Sequence, residues 1–235
     1  MGLYILSQLL LKAAVNIKFL IQIGTLNEGP LHASIKEWYK KVGDKQEVEV
    51  DGYIIDLVRG DQLIEIQTAN FSQISRKIVR LTKLYPLKLV HPIAQTKWLC
   101  ENNNRRKSPK RGRWLQLFDE LVSIPQVLVF DNFSIEIILV EIEEFRIANR
   151  SYRKGWEVSK RNLLSVQEAM MINNPSQLAK LTFPETLANL FSTADLSEEL
   201  QITRRLAQRI CYCMRQLGEI LPVSKSGNSI LYTRK

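Results

Sequence analysis

Apolar residues at Leu31, Ile35, Trp38 and Tyr39, with Pro30 near the start and Gly43 after the end, make the run NEGPLHASIKEWYKKVG a short amphipathic helix. Two β-rich runs follow, EVEVDGYIIDLV and QLIEIQTANF, and the Gly60-Asp61 pair between them predicts a hairpin. From Ser72 to Tyr85 the apolar positions Ile74, Ile78, Leu81 and Leu84 recur at helical spacing, and LKLVHPIA then reads as a buried strand. The order to this point is helix, strand, strand, helix, strand.

Residues 101–113 are polar and basic and read as a loop; WLQLFDELVSI is a helix that Pro125 closes. SIEIILVEIEEFRI is a long strand with GWEVSKRNLLSV as its returning partner, and the pattern turns helical around 165–183. The cluster Asn173, Asn174, Pro175 marks a loop into a last unit. There Thr193 is placed to cap TADLSEEL, Gln201 and Ile202 turn the chain, and Thr203 caps RRLAQRICYCMRQLG, which Gly218 stops. Leu206, Ile210, Cys213 and Leu217 form the expected buried stripe of that helix. EILPVSKSGNSILYTRK completes the unit as a hairpin turning at Ser226, Gly227 and Asn228. Helix, turn, helix, hairpin is the plan of a winged helix.

At 235 residues and 45% hydrophobic content the chain can fill one generous core or two modest ones. The pattern divides it into an apolar extension or helix (1–24), an α/β domain (25–175) carrying the basic loop 101–113, and a C-terminal winged helix-turn-helix domain (176–235). Lys12 and Lys18 interrupt the apolar extension, which leaves too short a charge-free run to span a bilayer, and no basic n-region opens it. The net charge of +9 is uneven: residues 101–113 hold six basic and one acidic side chain, residues 203–235 seven and one, and the remainder sums to about −2. Two basic patches of this kind suit a polyanion such as DNA and no stable membrane association. Cys100, Cys211 and Cys213, with His32 and His91, have no zinc-site spacing and suggest no disulfide framework, which fits a reducing cytoplasm. No phosphate-cradling GxxxxGK[ST] run is present.

The hairpin carries the candidate chemistry. Asp56 lies near the end of one strand and Glu65 and Gln67 share a face of the next, so two carboxylates and an amide can converge. Hard divalent cations, Mg²⁺ or Mn²⁺, take oxygen ligands of that sort and can polarise a phosphate and activate water. These residues and the order of elements around them resemble the PD-(D/E)xK nuclease superfamily over residues 25–100. The resemblance implies a restriction-endonuclease-like mixed sheet flanked by helices, with Glu28 as the helix acid, Asp56 and Glu65 as metal ligands and Gln67 where a lysine usually stands. An amide there orients water but brings no positive charge, and Arg76 or Lys77 on the following helix is positioned to supply it.

In the last long helix Arg204, Arg205, Gln208, Arg209, Tyr212, Arg215 and Gln216 are expected to point outward, and Lys225 lies on the wing. Such side chains suit phosphates and base edges. The loop residues Arg105, Arg106, Lys107, Lys110, Arg111 and Arg113 would hold a phosphate backbone near the carboxylates, with Trp98 and Trp114 as flanking core anchors. The expectation is therefore a Mg²⁺-dependent DNA endonuclease with a DNA-positioning winged helix. The alternatives are a non-catalytic DNA-binding regulator that keeps the scaffold, or a nucleoprotein assembly factor. Superfamily nucleases that cut both strands often act as dimers, so the resemblance also implies a homodimer.

Overall fold

The computed structural model describes residues 29–235; Glu28 and the apolar extension lie outside the described residues. Helix α1 (Pro30–Tyr39) starts with Pro30 in its first turn, where an absent N–H costs nothing. It buries Ile35 and Tyr39, one helical turn apart, together with Lys36, which pairs with Glu47 at 2.9 Å. Trp38, expected on the buried face, is half exposed, because α1 touches the sheet along a narrow stripe only.

The run read as one strand is two. Strands β1 (Lys45–Val50) and β2 (Tyr53–Arg59) pair antiparallel, and Asp51 (φ 51°) and Gly52 (φ 79°) between them are both left-handed, as an Asp-Gly hairpin turn requires. After the expected turn at Gly60, β3 (Gln62–Ile66) pairs antiparallel with β2. A 3₁₀ turn (Phe71–Ile74) and α2 (Ser75–Leu81) then cross over to β4 (Leu87–Glu101), which runs parallel to β3.

The segment expected as a loop is partly a strand: left-handed Asn102 and Asn103 turn β4 back into β5 (Asn104–Lys107). Residues 108–113 are then laid against β4 by bonds from Ser108 N–H to Lys97 O (2.8 Å) and from Gly112 N–H to Ala94 O (3.0 Å). A 3₁₀ turn (Trp114–Gln116), α3 (Leu117–Leu121) and a second 3₁₀ turn starting at Pro125 lead to β6 (Phe133–Ala148), parallel to β4, and to β7 (Trp156–Ile172), antiparallel to β6. Residues 165–172, expected to be helical, extend β7, with Met170 opposite Ile137 and Ile172 opposite Ile135. Pairing with β6 there outweighs a sequence preference that reads either way. The architecture is mixed α/β: one large mixed sheet of order β1-β2-β3-β4-β6-β7, with β5 on the far end of β4, flanked by helices.

The C-terminal elements are α4 (Pro175–Thr182), β8 (Leu190–Phe191), α5 (Thr193–Glu199), α6 (Arg204–Gln216), β9 (Ile220–Ser226) and β10 (Ser229–Arg234), with a small sheet of order β8-β10-β9. Ser192 rather than Thr193 caps α5, in a reciprocal capping box with Asp195; Thr203 caps α6, and Gly218 (φ 75°) follows its end.

Two apolar layers sandwich the large sheet. One joins α1 to Leu57, Ile64, Ile66, Val90 and Ile138. The other runs without a break from Phe71, Ile78 and Phe118 into Ile210, Cys211 and Met214 of α6. Helix α6 is thus covered on two sides, so Ala207, Cys211 and Met214 are buried in addition to the expected Ile210, Cys213 and Leu217, while Leu206 is only partly buried. No described helix is long and apolar enough to cross a membrane.

A Cβ on Gly112 would lie 2.3 Å from the carbonyl oxygen and 2.8 Å from the carbonyl carbon of Ala94, both backbone atoms that cannot yield without moving β4. Gly112→Ala should therefore destabilise the fold by about 1–3 kcal/mol, read as a lower urea midpoint at unchanged slope; an unaltered midpoint would mean that segment 108–113 is not seated on β4.

Candidate carboxylate site and basic surfaces

The carboxylate site forms where the meander opens. Backbone pairing between β2 and β3 reaches Leu57 opposite Ile64 and goes no further; beyond it the side chain of Asp56 accepts the Ile66 N–H at 2.7 Å. The alternation of β2 breaks at the same place, since Ile55 joins the core layer of Val58 while Leu57 faces the other layer. Glu47, opposite Asp56, has φ 50°, as an irregular strand that re-aims a side chain would need. Pro92 supports the opening. Its position faces the β3 side of β4, two residues after Val90, whose carbonyl accepts the last bond from Gln67 N–H at 2.9 Å; with no N–H of its own, Pro92 cannot extend the ladder.

Four side chains from four elements meet at this opening. Asp56 Oδ2 lies 3.2 Å from His32 Nε2 on α1. Glu65, on β3 and only 8% exposed, accepts at Oε2 from Lys77 Nζ on α2 at 2.5 Å, and the same ammonium donates to the Ile54 carbonyl. Burial, then the charge of Asp56, push the Glu65 carboxyl up to about 7 against the opposing pull of Lys77 and His32. Of the two basic residues proposed to replace the missing lysine, Lys77 and not Arg76 reaches the carboxylate.

Gln67 is engaged elsewhere: its amide nitrogen donates to the carbonyls of Ala69 (2.5 Å) and Asn70 (3.4 Å), and no hydrogen bond joins it to Asp56 or Glu65 among the described residues. Its backbone carbonyl meets buried His91 Nδ1 at 2.7 Å, and burial holds that imidazole below its usual range, so His91 is a neutral packing element edge-on to Phe71. His32 was not singled out from sequence for this site; its signal was its place in the helix that covers the strand of Asp56.

Among the described residues no three His, Cys, Asp or Glu side chains are grouped to hold a metal. Mg²⁺ nevertheless is commonly held through one or two carboxylates with water completing its shell, and Asp56 and Glu65 fit that donor chemistry. Binding there would require Glu65 to be ionised.

The basic residues separate into tied and open ones. Arg113 donates to the Leu200 carbonyl at 2.7 Å and fastens the 108–113 segment to the turn before α6. Arg105 stacks 3.9 Å over the Trp98 ring and pairs with Glu143, and Lys107 lies 5.9 Å from the same ring. Trp98, expected as a core anchor, is thus a surface platform whose indole N–H donates to Glu141; Trp114 does pack against the core, beside Phe118. Arg209, expected to point outward, forms an ion pair with Asp119 of α3, because α6 packs on the core at that side. Arg204 donates to Thr193 Oγ1. Arg205, Gln208, Tyr212 and Arg215 form an exposed stripe along α6, and Lys225 is exposed on β9.

Arg106, Lys110 and Arg111 line a cleft of about 970 Å³ with Lys97, Arg146 and Arg161. Glu144 lies within it; its burial would raise the carboxyl, but hydrogen bonds and charge from Arg146, Lys97 and Arg161 hold it down at about 2. Residues 146–161 also contribute six basic and one acidic side chain, a third basic run that the summed charge concealed because acidic residues before it cancel its charge.

Residues 29–173 match the model of a domain of unknown function, DUF8091. The chain belongs to that family. The family segment contains α1, the whole large sheet, the four-residue cluster and the cleft, and it stops before α4. An uncharacterized protein of Treponema pallidum (strain Nichols) is 27% identical over 224 residues, 91% of this chain and 88% of its own length, so that likeness extends beyond the family segment. No solved structure matches the chain.

The Glu65 carboxyl keeps its proton to higher pH in the folded state than its ordinary value of 4.5, so between pH 4.5 and about 7 the native state binds more protons than the unfolded one. Its contribution makes stability fall as pH rises through that window. Glu65→Gln removes the contribution; relative to this variant the natural protein should lose about 1–3 kcal/mol across the window in urea denaturation. Parallel profiles would show a carboxylate ionised throughout.

Proposed function

We propose that this protein is a metal-dependent DNA endonuclease with a restriction-endonuclease-like core of the PD-(D/E)xK kind and a C-terminal winged helix-turn-helix that positions DNA. The observation that carries the reading is the buried Glu65 beside Asp56 with Lys77 at bonding distance, at the opening of a sheet built in the order helix, three antiparallel strands, helix, parallel strand. In this reading Asp56 and Glu65 hold Mg²⁺ or Mn²⁺, which would supply Lewis-acid polarisation of a phosphate and a more acidic water. The Ile66 amide and His32 keep Asp56 oriented, and Lys77 brings the positive charge that Gln67 lacks. Helix, short strand, two helices and a hairpin, closed as a sheet of order β8-β10-β9, support the winged-helix assignment. Its DNA-facing stripe would be Arg205, Gln208, Tyr212 and Arg215, with Arg209 serving the junction.

The second reading is a non-catalytic DNA-binding protein that retains the scaffold; the amide of Gln67, turned to carbonyls of its own loop, is the observation in its favour. Incubation with supercoiled, linear and single-stranded DNA in Mg²⁺ or Mn²⁺ separates the two. Cleavage that EDTA stops and that Asp56→Ala or Glu65→Ala slows on the order of a thousandfold supports the nuclease. DNA left intact but retarded in a gel would sink catalysis and leave the binding protein. For the helix stripe, Arg205→Ala should weaken duplex binding and lower the slope of log K against log salt by about 1; an unchanged slope would remove Arg205 from the interface.

A further inference from the structure

We infer that the cleft between segment 108–112 and the β6–β7 turn is a receptor for single-stranded DNA, separate from both the carboxylate site and the α6 stripe. The inference rests on the reading of the substrate as DNA and names which form of it enters this cleft.

Both walls are built rather than loose. Segment 108–112 is bonded to β4 at Lys97 and Ala94, and the turn 149–155 is closed by its own backbone bonds from Asn149 to Gly155, Tyr152 to Asn149 and Gly155 to Tyr152. The floor is formed by β4, β6 and β7 beyond the point where β3 has ended. Such a preformed concavity costs little ordering on binding.

The eight cations that line the cleft exceed what its two carboxylates, Glu144 and Glu157, can satisfy. Glu144 is shared by Lys97, Arg146 and Arg161, with N···O distances of 3.1, 2.7 and 3.1 Å. Arg106, Lys110, Arg111, Arg153 and Lys154 line the same cleft and form no ion pair among the described residues. Cations converging on one concavity repel one another and favour a bound polyanion.

The aromatic content selects among polyanions. Trp156 lies in the wall with the Arg146 guanidinium 3.6 Å and the Lys154 ammonium 5.3 Å from its ring centroid, and Tyr152, a 55% exposed residue, lines the same cleft. A flexible single strand offers both phosphates for the cations and unstacked bases for the rings. A duplex keeps its bases stacked inside a stiff cylinder and can touch only the rim. Leu89, opposite Glu65, and Lys97, in the cleft, are eight residues apart on β4, roughly 26 Å at strand spacing. A strand held in the cleft would thus leave the region of the carboxylates with several nucleotides between.

The test is fluorescence anisotropy without divalent metal, using a labelled oligothymidylate, a blunt duplex of equal length and inorganic polyphosphate as competitor. Arg153→Glu with Lys154→Glu, both on the exposed turn, should weaken oligothymidylate binding at least tenfold and leave duplex binding within about twofold; Tyr152→Ala should weaken it about five- to hundredfold. Arg205→Glu should show the reverse selectivity. Equal losses for single strand and duplex in the turn variant would overturn the inference. So would displacement by polyphosphate together with an inert Tyr152→Ala, which would mark a general anion site. Circular dichroism of each variant reports its fold. Because binding is read without metal, failure of cleavage in the natural protein would refute the nuclease reading and leave this result standing, while loss of selectivity with intact cleavage would do the opposite.

Discussion

Strand β4 has to satisfy hydrogen bonds on both edges and bury side chains on both faces, and the rest of the molecule is arranged around that requirement. Its first half, Leu87 to Ile93, is apolar apart from Lys88 and the neutral, buried His91. Parallel neighbours on both sides demand crossovers, which are the segments that carry α2 and α3, and these helices with α6 cover one face while α1 covers the other. Where β3 stops beside Pro92, the sheet opens and the carboxylates gather. Past the register shift between Ala94 and Thr96, β4 leaves the two-sided core and becomes the floor of the basic cleft.

Electrostatics follow this geometry. Near the first half of β4, acidic groups lie in low-dielectric surroundings, so Glu65 is forced upward and held in check by Lys77. A buried pair of this type contributes little net stability against an apolar pair of the same shape, yet removing one member leaves an uncompensated charge. Along the second half the balance is reversed: cations outnumber carboxylates, and the buried Glu144 is held ionised by three of them. The two regions therefore carry opposite charge, one built on buried carboxylates and the other on clustered cations, within one continuous sheet.

The C-terminal unit is part of the same packing problem. Arg113 to the Leu200 carbonyl, Arg209 to Asp119, and an apolar layer shared by Phe118 and Met214 tie it to the sheet. In the proposed reading, DNA gripped by α6 is presented to a body that holds the carboxylates at a fixed place. The same contacts explain why a helix that reads as simply amphipathic has cysteines buried on two sides.

Local sequence signals were sufficient for many of the features whose deciding interaction is local. The helix of Pro30, the turn at Gly60, the caps at Thr203 and Gly218, the apolar periods of α2 and β4, and the acids at Asp56 and Glu65 are all legible because spacing and turn chemistry act within a few residues. The Asp51-Gly52 turn, equally local, was missed because it lies inside a run that reads as one strand. What only the tertiary structure decided depends on groups distant in sequence: Lys77 rather than Arg76 at Glu65, His32 at Asp56, the turning away of Gln67, β7 continuing to Ile172, Arg209 spent on Asp119, and the joining of residues 97–111 with 146–161 in one cleft. The reason is physical: period and propensity fix which face a side chain takes, but pairing across the sheet and burial against other layers determine which partner it meets there.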